Sequence, residues 1–161
     1  MTGVQWLTPE LLAQVLEKAR RSPRLRTNYN LHSGPEDNPH RFFNVMLRGT
    51  YIAPHRHSDP PKSETFLVLE GKIAFFLFDD AGEIAGCEAV AAGERFGIDV
   101  APGLWHSMAV LSDHAVCFEV KPGPWAPATD KEFAPWAPRE GQPGAEEYLL
   151  RLLAHVPQSG R

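Results

Sequence analysis

Hydrophobic and polar residues alternate in two rhythms along this chain. Near the start, Leu11, Leu12, Val15, Leu16 and Ala19 recur at helical spacing, and Thr8-Pro9-Glu10 supplies a capping hydroxyl, a proline at the first turn and a carboxylate at the positive end of the dipole. The pattern predicts an N-terminal helix over 9–22, closed by Ser22-Pro23. From residue 41 to 121 the rhythm changes to short apolar runs divided by turn residues. It predicts strands at Phe42–Ala53, Thr65–Phe78, Ile84–Val90, Arg95–Val100, Ser107–Leu111 and Val116–Lys121, with turns at 79–82, Pro102-Gly103 and Ser112-Asp113. The polar stretch 24–40 reads as an arm or loop, and the proline-rich tail 122–144 cannot be sheet interior. Glu146–His155 reads as a short closing helix.

Many short strands at this spacing predict a mostly β fold, an antiparallel sandwich or barrel of jelly-roll type in a single domain over 1–161. The 15 prolines and 13 glycines among 161 residues agree with a turn-rich fold. A net charge of -4 gives no reason to expect a nucleic-acid or anionic-membrane surface. The cluster Arg20, Arg21, Arg24 and Arg26 reads either as a solvated helix end or as a basic rim for an anionic substrate. Cys87 and Cys117 form no metal knuckle and are expected as buried free thiols. No secretory leader pattern is present and no run approaches the roughly 20 apolar residues that cross a bilayer, so the expected compartment is the cytoplasm.

The chemistry concentrates in His55, His57, Glu64 and His106. On a strand, a His-x-His pair turns both rings to one side, and imidazole with carboxylate suits a divalent transition metal such as Fe, Mn, Ni or Zn. Glu70 and Glu119 are alternatives for the carboxylate. Parity would put Tyr51 on the face of His55, as a candidate acid or hydrogen-bond donor, although core packing is the default. Phe66 after Glu64 and Met108 after His106 are candidate apolar walls of a small-molecule pocket. Asn28, Asn30 and His32 would share one face of an extended arm that could cap it, and Lys62 stands just before the glutamate.

Gly49, His55, His57, Glu64 and Gly71, followed by Pro102-Gly103-Leu104-Trp105-His106, resemble the two signature motifs of the cupin superfamily. The segment 58–63 is longer than the common pattern, and Val110 stands where many members carry asparagine. RTNYNLH at 26–32, RFFNVMLRGTYIAPHRH at 41–57, EVKPGPW at 119–125 and DKEFAPWAPRE at 130–140 resemble the WbuC family of cupin-fold metalloproteins. That resemblance implies a β-barrel holding one divalent metal by three histidines and a glutamate. The family's name comes from a gene of bacterial O-antigen clusters, and its reaction is not settled.

The resulting expectation is a metal-dependent cupin acting as an isomerase or oxygenase on a small polar metabolite, in the family context a sugar derivative of surface polysaccharide synthesis. Two alternatives are a binding or regulatory module without turnover and a metal-free epimerase with Tyr51 as acid. Homodimerisation is a further expectation from the fold, since uncovered sheet edges invite pairing and Trp125, Phe133 and Trp136 supply apolar area.

Overall fold

The computed structural model describes residues 3–157. Helix α1, Pro9–Arg21, begins where the sequence places it, with the Leu11 N–H donating to Thr8 Oγ1 at 3.3 Å. The strands then run β1 Arg26–Asn30, β2 His40–Leu47, β3 His55–Arg56, β4 Glu64–Glu70, β5 Lys72–Phe78, β6 Ile84–Ala91, β7 Gly97–Val100, β8 Trp105–Val110, β9 His114–Lys121 and β10 Glu132–Phe133. Helix α2, Ala145–Ala154, follows.

Among the described residues the strands form two five-stranded antiparallel sheets, ordered β1-β2-β9-β4-β7 and β10-β3-β8-β5-β6. The chain passes back and forth between them, crossing after β2, β3, β4, β6, β7, β8 and β9, which is jelly-roll connectivity. The expected barrel is therefore a jelly-roll sandwich. No hydrogen-bonded ladder joins the edge strands of one described sheet to those of the other, so the cylinder is not closed.

Alternation of side chains divides the apolar residues into three layers. Phe66, Val68, Ile73, Phe75, Met108, Val110 and Cys117 meet between the sheets. Phe43, Val45 and Val116 face the other way and are covered by Val15 and Ala19 of α1. Ala74, Phe76, Trp105 and Ala109, on the outer face of the second sheet, are covered by Tyr148, Leu149 and Leu152 of α2. Both helices thus seal sheet faces that would otherwise expose apolar surface.

Three sequence expectations change. The arm 24–40 contains β1, which pairs with β2 over Arg26↔Met46 to Asn30↔Phe42; its polar side chains concealed an edge strand. The run 65–78 is two strands in different sheets, divided at Gly71, whose φ of 76° permits a reversal that the apolar sequence does not announce. The run 42–53 stops being a strand at Leu47, just before Gly49 at φ 91°. The thiols are free, with Cys117 buried and Cys87 half-buried; burial pushes them up to about 12 and about 11.

Two outcomes follow from this packing. A Cβ built on Gly71 would lie 2.1 Å from the His114 carbonyl oxygen. Gly71→Ala will therefore lose more than the ~1–2 kcal/mol of left-handed strain alone, read by urea denaturation. With both thiols protonated, the native protein will react slowly with a disulfide reagent at about pH 8, and both cysteines will react rapidly once it is unfolded in guanidinium.

Candidate metal centre

His55 lies on β3 directly opposite His106 on β8, Glu64 opens β4 in the facing sheet, and His57 follows β3 in the loop leading to it. All four are buried, and one ligand atom from each lies within 4.8 Å of the others. The sequence-predicted ligand set thus converges between the sheets. Glu119, an alternative carboxylate, lies beside it, whereas Glu70 is exposed at the far end of β4 and paired with His114.

The rings are held by the main chain. His55 Nδ1 lies 3.0 Å from the Ala53 carbonyl, His106 Nδ1 2.9 Å from the Leu104 carbonyl, and His57 Nδ1 against the Asp130 carbonyl. A carbonyl only accepts, so each Nδ1 carries the proton and donates it. In the neutral ring this leaves a lone pair on Nε2, the arrangement metal-binding histidines use. Burial, with the nearby Lys131 ammonium, keeps the His55 pKa well below its ordinary value and the ring neutral.

What these nitrogens meet is a carboxylate. His57 Nε2 is 3.1 Å from Glu64 Oε1 and His106 Nε2 is 3.0 Å from Glu64 Oε2. Yet His57 Nε2, His106 Nε2 and Glu64 Oε2 are buried without an aligned hydrogen-bond partner. The short distances are therefore close approaches, and lone pairs face lone pairs. Such a cluster of buried acceptors suits a cation at its centre. Burial opposes ionisation of Glu64, and the Lys121 ammonium, 3.4 Å from its Oε1, favours it. Neutral imidazoles with an ionised carboxylate fit a divalent transition metal.

A buried charge network adjoins the cluster. Lys121 Nζ lies 3.4 Å from Glu64 Oε1, 3.2 Å from Asp130 Oδ2 and 3.8 Å from Glu119. Lys62 Nζ bonds Asp130 Oδ1 at 2.9 Å and the Pro124 carbonyl at 2.6 Å. Asn44 donates to Glu119 Oε2 at 3.2 Å. Burial and the Glu64 charge push Glu119 up to about 8, despite Lys121. Asp130 is the joint of this region, holding His57 with its main chain and two lysines with its side chain.

Above the network opens a polar cavity of about 820 Å³, whose walls include Asn28, Asn30, His32, Glu119, Lys121 and Lys131. Asn30 and His32 therefore stand where the sequence suggested, and His32 stacks on His40 with centroids 4.0 Å apart. Arg24 and Arg26 line the same cavity and pair with Glu140, at 2.6 Å each, which places both at a basic rim. Lys62 lies behind the wall in its ion pair with Asp130. Phe66 and Met108 share the faces of Glu64 and His106 as parity requires, but fill the apolar core rather than the cavity.

Tyr51 is the correction. Its hydroxyl donates to the Pro138 carbonyl at 2.8 Å, and its ring packs edge-on to Tyr148 in the layer beneath α2. Burial raises its pKa. Parity failed here because alternation needs continuous strand, and residues 51–54, ending in Pro54, are not strand. Lys121, Asp130 and Lys131 were not anticipated. The first had a signal, since Glu119 and Lys121 are charged at alternate positions of an otherwise apolar strand; Asp130-Lys131 in the proline-rich tail had none.

The comparisons agree with the fold. The family model described as a domain of unknown function (DUF6016) matches residues 7–89, just over half of the chain. No curated protein matches the sequence. Among solved structures, the capsular polysaccharide assembling protein CapF from Staphylococcus aureus is similar at a TM-score of 0.58 and 22% identity, over 70% of this chain and 32% of CapF. The chain thus spans about a third of CapF's length. An oxalate oxidase in complex with the substrate analogue glycolate is similar at 0.53 and 15% identity, over 71% of this chain and 57% of that one. A cupin 2 domain-containing protein from Halorhodospira halophila is similar at 0.50 and 13% identity, over 83% of both chains. At these identities the likeness speaks for the fold. The chain belongs to the DUF6016 family and has a cupin-like jelly-roll fold.

Proposed function

We propose that this chain holds one divalent transition metal on His55, His57, Glu64 and His106 and acts through it on a small polar metabolite. The observation that carries this reading is the set of buried acceptors facing one another, with every Nδ1 already committed to a carbonyl. Bound there, a divalent ion supplies Lewis-acid polarisation of a carbonyl or acidification of a water molecule.

The chain's own residues do the remaining work. The Ala53, Leu104 and Asp130 carbonyls orient the three rings, and Phe75, stacked on His106 with centroids 5.6 Å apart, closes the site against the apolar core. Phe133, 6.1 Å from the His55 ring, screens another side. The polar cavity adjoins the site across Glu119 and Lys121, and its asparagines and histidines suit a hydroxylated ligand. The resemblance to the WbuC family and the likeness to CapF, whose name records capsular polysaccharide assembly, favour a sugar or sugar derivative. The metal-free epimerase reading gains no support, because its acid, Tyr51, is bonded to Pro138 in another layer.

Protein purified without chelator, or reconstituted with Fe, Mn, Ni or Zn, will carry near-stoichiometric metal by plasma mass spectrometry, and His57→Ala will lose it. Full occupancy in His57→Ala would overturn the ligand set. Tyr51→Phe will leave occupancy unchanged while costing about 1 kcal/mol of stability for its hydrogen bond, measured by denaturation.

A further inference from the structure

Lys131 is the cation of this region that the charge network leaves unanswered. Lys62 and Lys121 each sit within ion-pair distance of Asp130. Lys131 lines the same cavity, and among the described residues its ammonium stands outside the ion pairs of that network. Its placement follows from register. It directly precedes β10, where Phe133 stands opposite His55 on β3, so the docking that brings Phe133 to His55 also carries Lys131 to the cavity wall. Burial lowers the Lys131 pKa and the neighbouring Lys121 ammonium lowers it further, while Glu64, Glu119 and Asp130 act on it in the opposite sense from beyond contact.

The charge balance shows what is missing. Three ammonium groups, Lys62, Lys121 and Lys131, face three carboxyl groups, Glu64, Glu119 and Asp130. With all three carboxylates ionised the group is neutral, and a divalent ion then makes it doubly positive. An enclosed positive excess beside a cavity calls for an anion from outside. Arg24 and Arg26 at the rim favour the entry of the same charge, although Glu140 answers part of theirs.

We infer that Lys131 anchors an oxyanion of the molecule that occupies the cavity, so that the ligand class is a small hydroxylated organic anion, a carboxylate or a phosphate ester. This rests on the metal-centre reading, with the hydroxylated part of the ligand towards the metal and the asparagines. Lys131 is a binding residue in this assignment; the ammonium is a point charge suited to either oxyanion.

The test is calorimetric titration of metal-loaded protein with glycerate, glycerol 3-phosphate and glycerol, with metal content measured on the same samples. Wild-type protein will bind at least one of the two anions and bind glycerol far more weakly; which anion binds tells carboxylate from phosphate. Lys131→Met will weaken that binding about tenfold to a hundredfold with metal content unchanged, and Lys131→Arg will recover most of it. Circular dichroism and thermal melting check that both variants are folded. Equal binding of glycerol, no binding of either anion, undiminished binding by Lys131→Met, or equal loss in the arginine variant would each overturn the assignment. Wild-type protein that takes up no metal but still binds an anion through Lys131 would sink the metal reading alone.

Discussion

The site depends on three main-chain carbonyls. Ala53, Leu104 and Asp130 each take a proton from a histidine Nδ1, which fixes the tautomer and orientation of the three rings at once. Two of these carbonyls lie two residues before the histidine they hold, so His55 and His106 are set by their own strand entrances. The third belongs to the tail, far away in sequence. His57 therefore cannot be oriented until the tail has docked, and the same docking brings β10 against β3 through Glu132↔Arg56 and Phe133↔His55.

Asp130 joins that docking to the charge network. Its carboxylate sits between Lys62 and Lys121, with all three side chains buried. Burial alone would raise its pKa, but the two ammonium groups keep it below the usual carboxylate value. A buried ion pair contributes little net stability relative to apolar packing, whereas leaving one of its charges unpaired costs about 3–5 kcal/mol. The network is therefore better understood as a device that permits one docked position of the tail and penalises others. What it stabilises is a geometry in which His57 is held at the metal centre while Lys131 reaches the cavity wall.

The sequence made the buried His55, His57, Glu64 and His106 cluster legible because His-x-His, a following glutamate and a histidine after Pro-Gly are local patterns with a chemical reason. The helices were legible for the same reason, with Thr8-Pro9-Glu10 at one end of the chain and an amphipathic run at the other. Strand β1 was concealed because an edge strand that lines a polar cavity carries Asn28 and Asn30 where a buried strand would carry valines. The division at Gly71 was concealed because both halves of 65–78 are apolar and the reversal rests on one residue. Tyr51 was misplaced by extending strand parity across Pro54, and Lys131 was missed because only tertiary docking gives it neighbours.

A gradient along the strands explains how one small sandwich holds both a core and a polar centre. On β4 the inward positions run Glu64, Phe66, Val68; on β8 they run His106, Met108, Val110; on β9, read backwards, they run Lys121, Glu119, Cys117, Ala115. Antiparallel register sets Thr65 against Val120 and Phe66 against Glu119, so the polar ends of β4 and β9 meet at the same end of the sheet. His106 on the facing sheet comes to that end too, stacked on Phe75 at the boundary between the halves. The apolar half supplies the hydrophobic stabilisation, which needs no cavity and tolerates none. The polar half can then remain open, because its unsatisfied acceptors are supported by a packed layer directly beneath. Moving any one strand by a single residue would turn its inward positions to the opposite face and break core and metal centre together, which ties the register of the fold to the chemistry at its end.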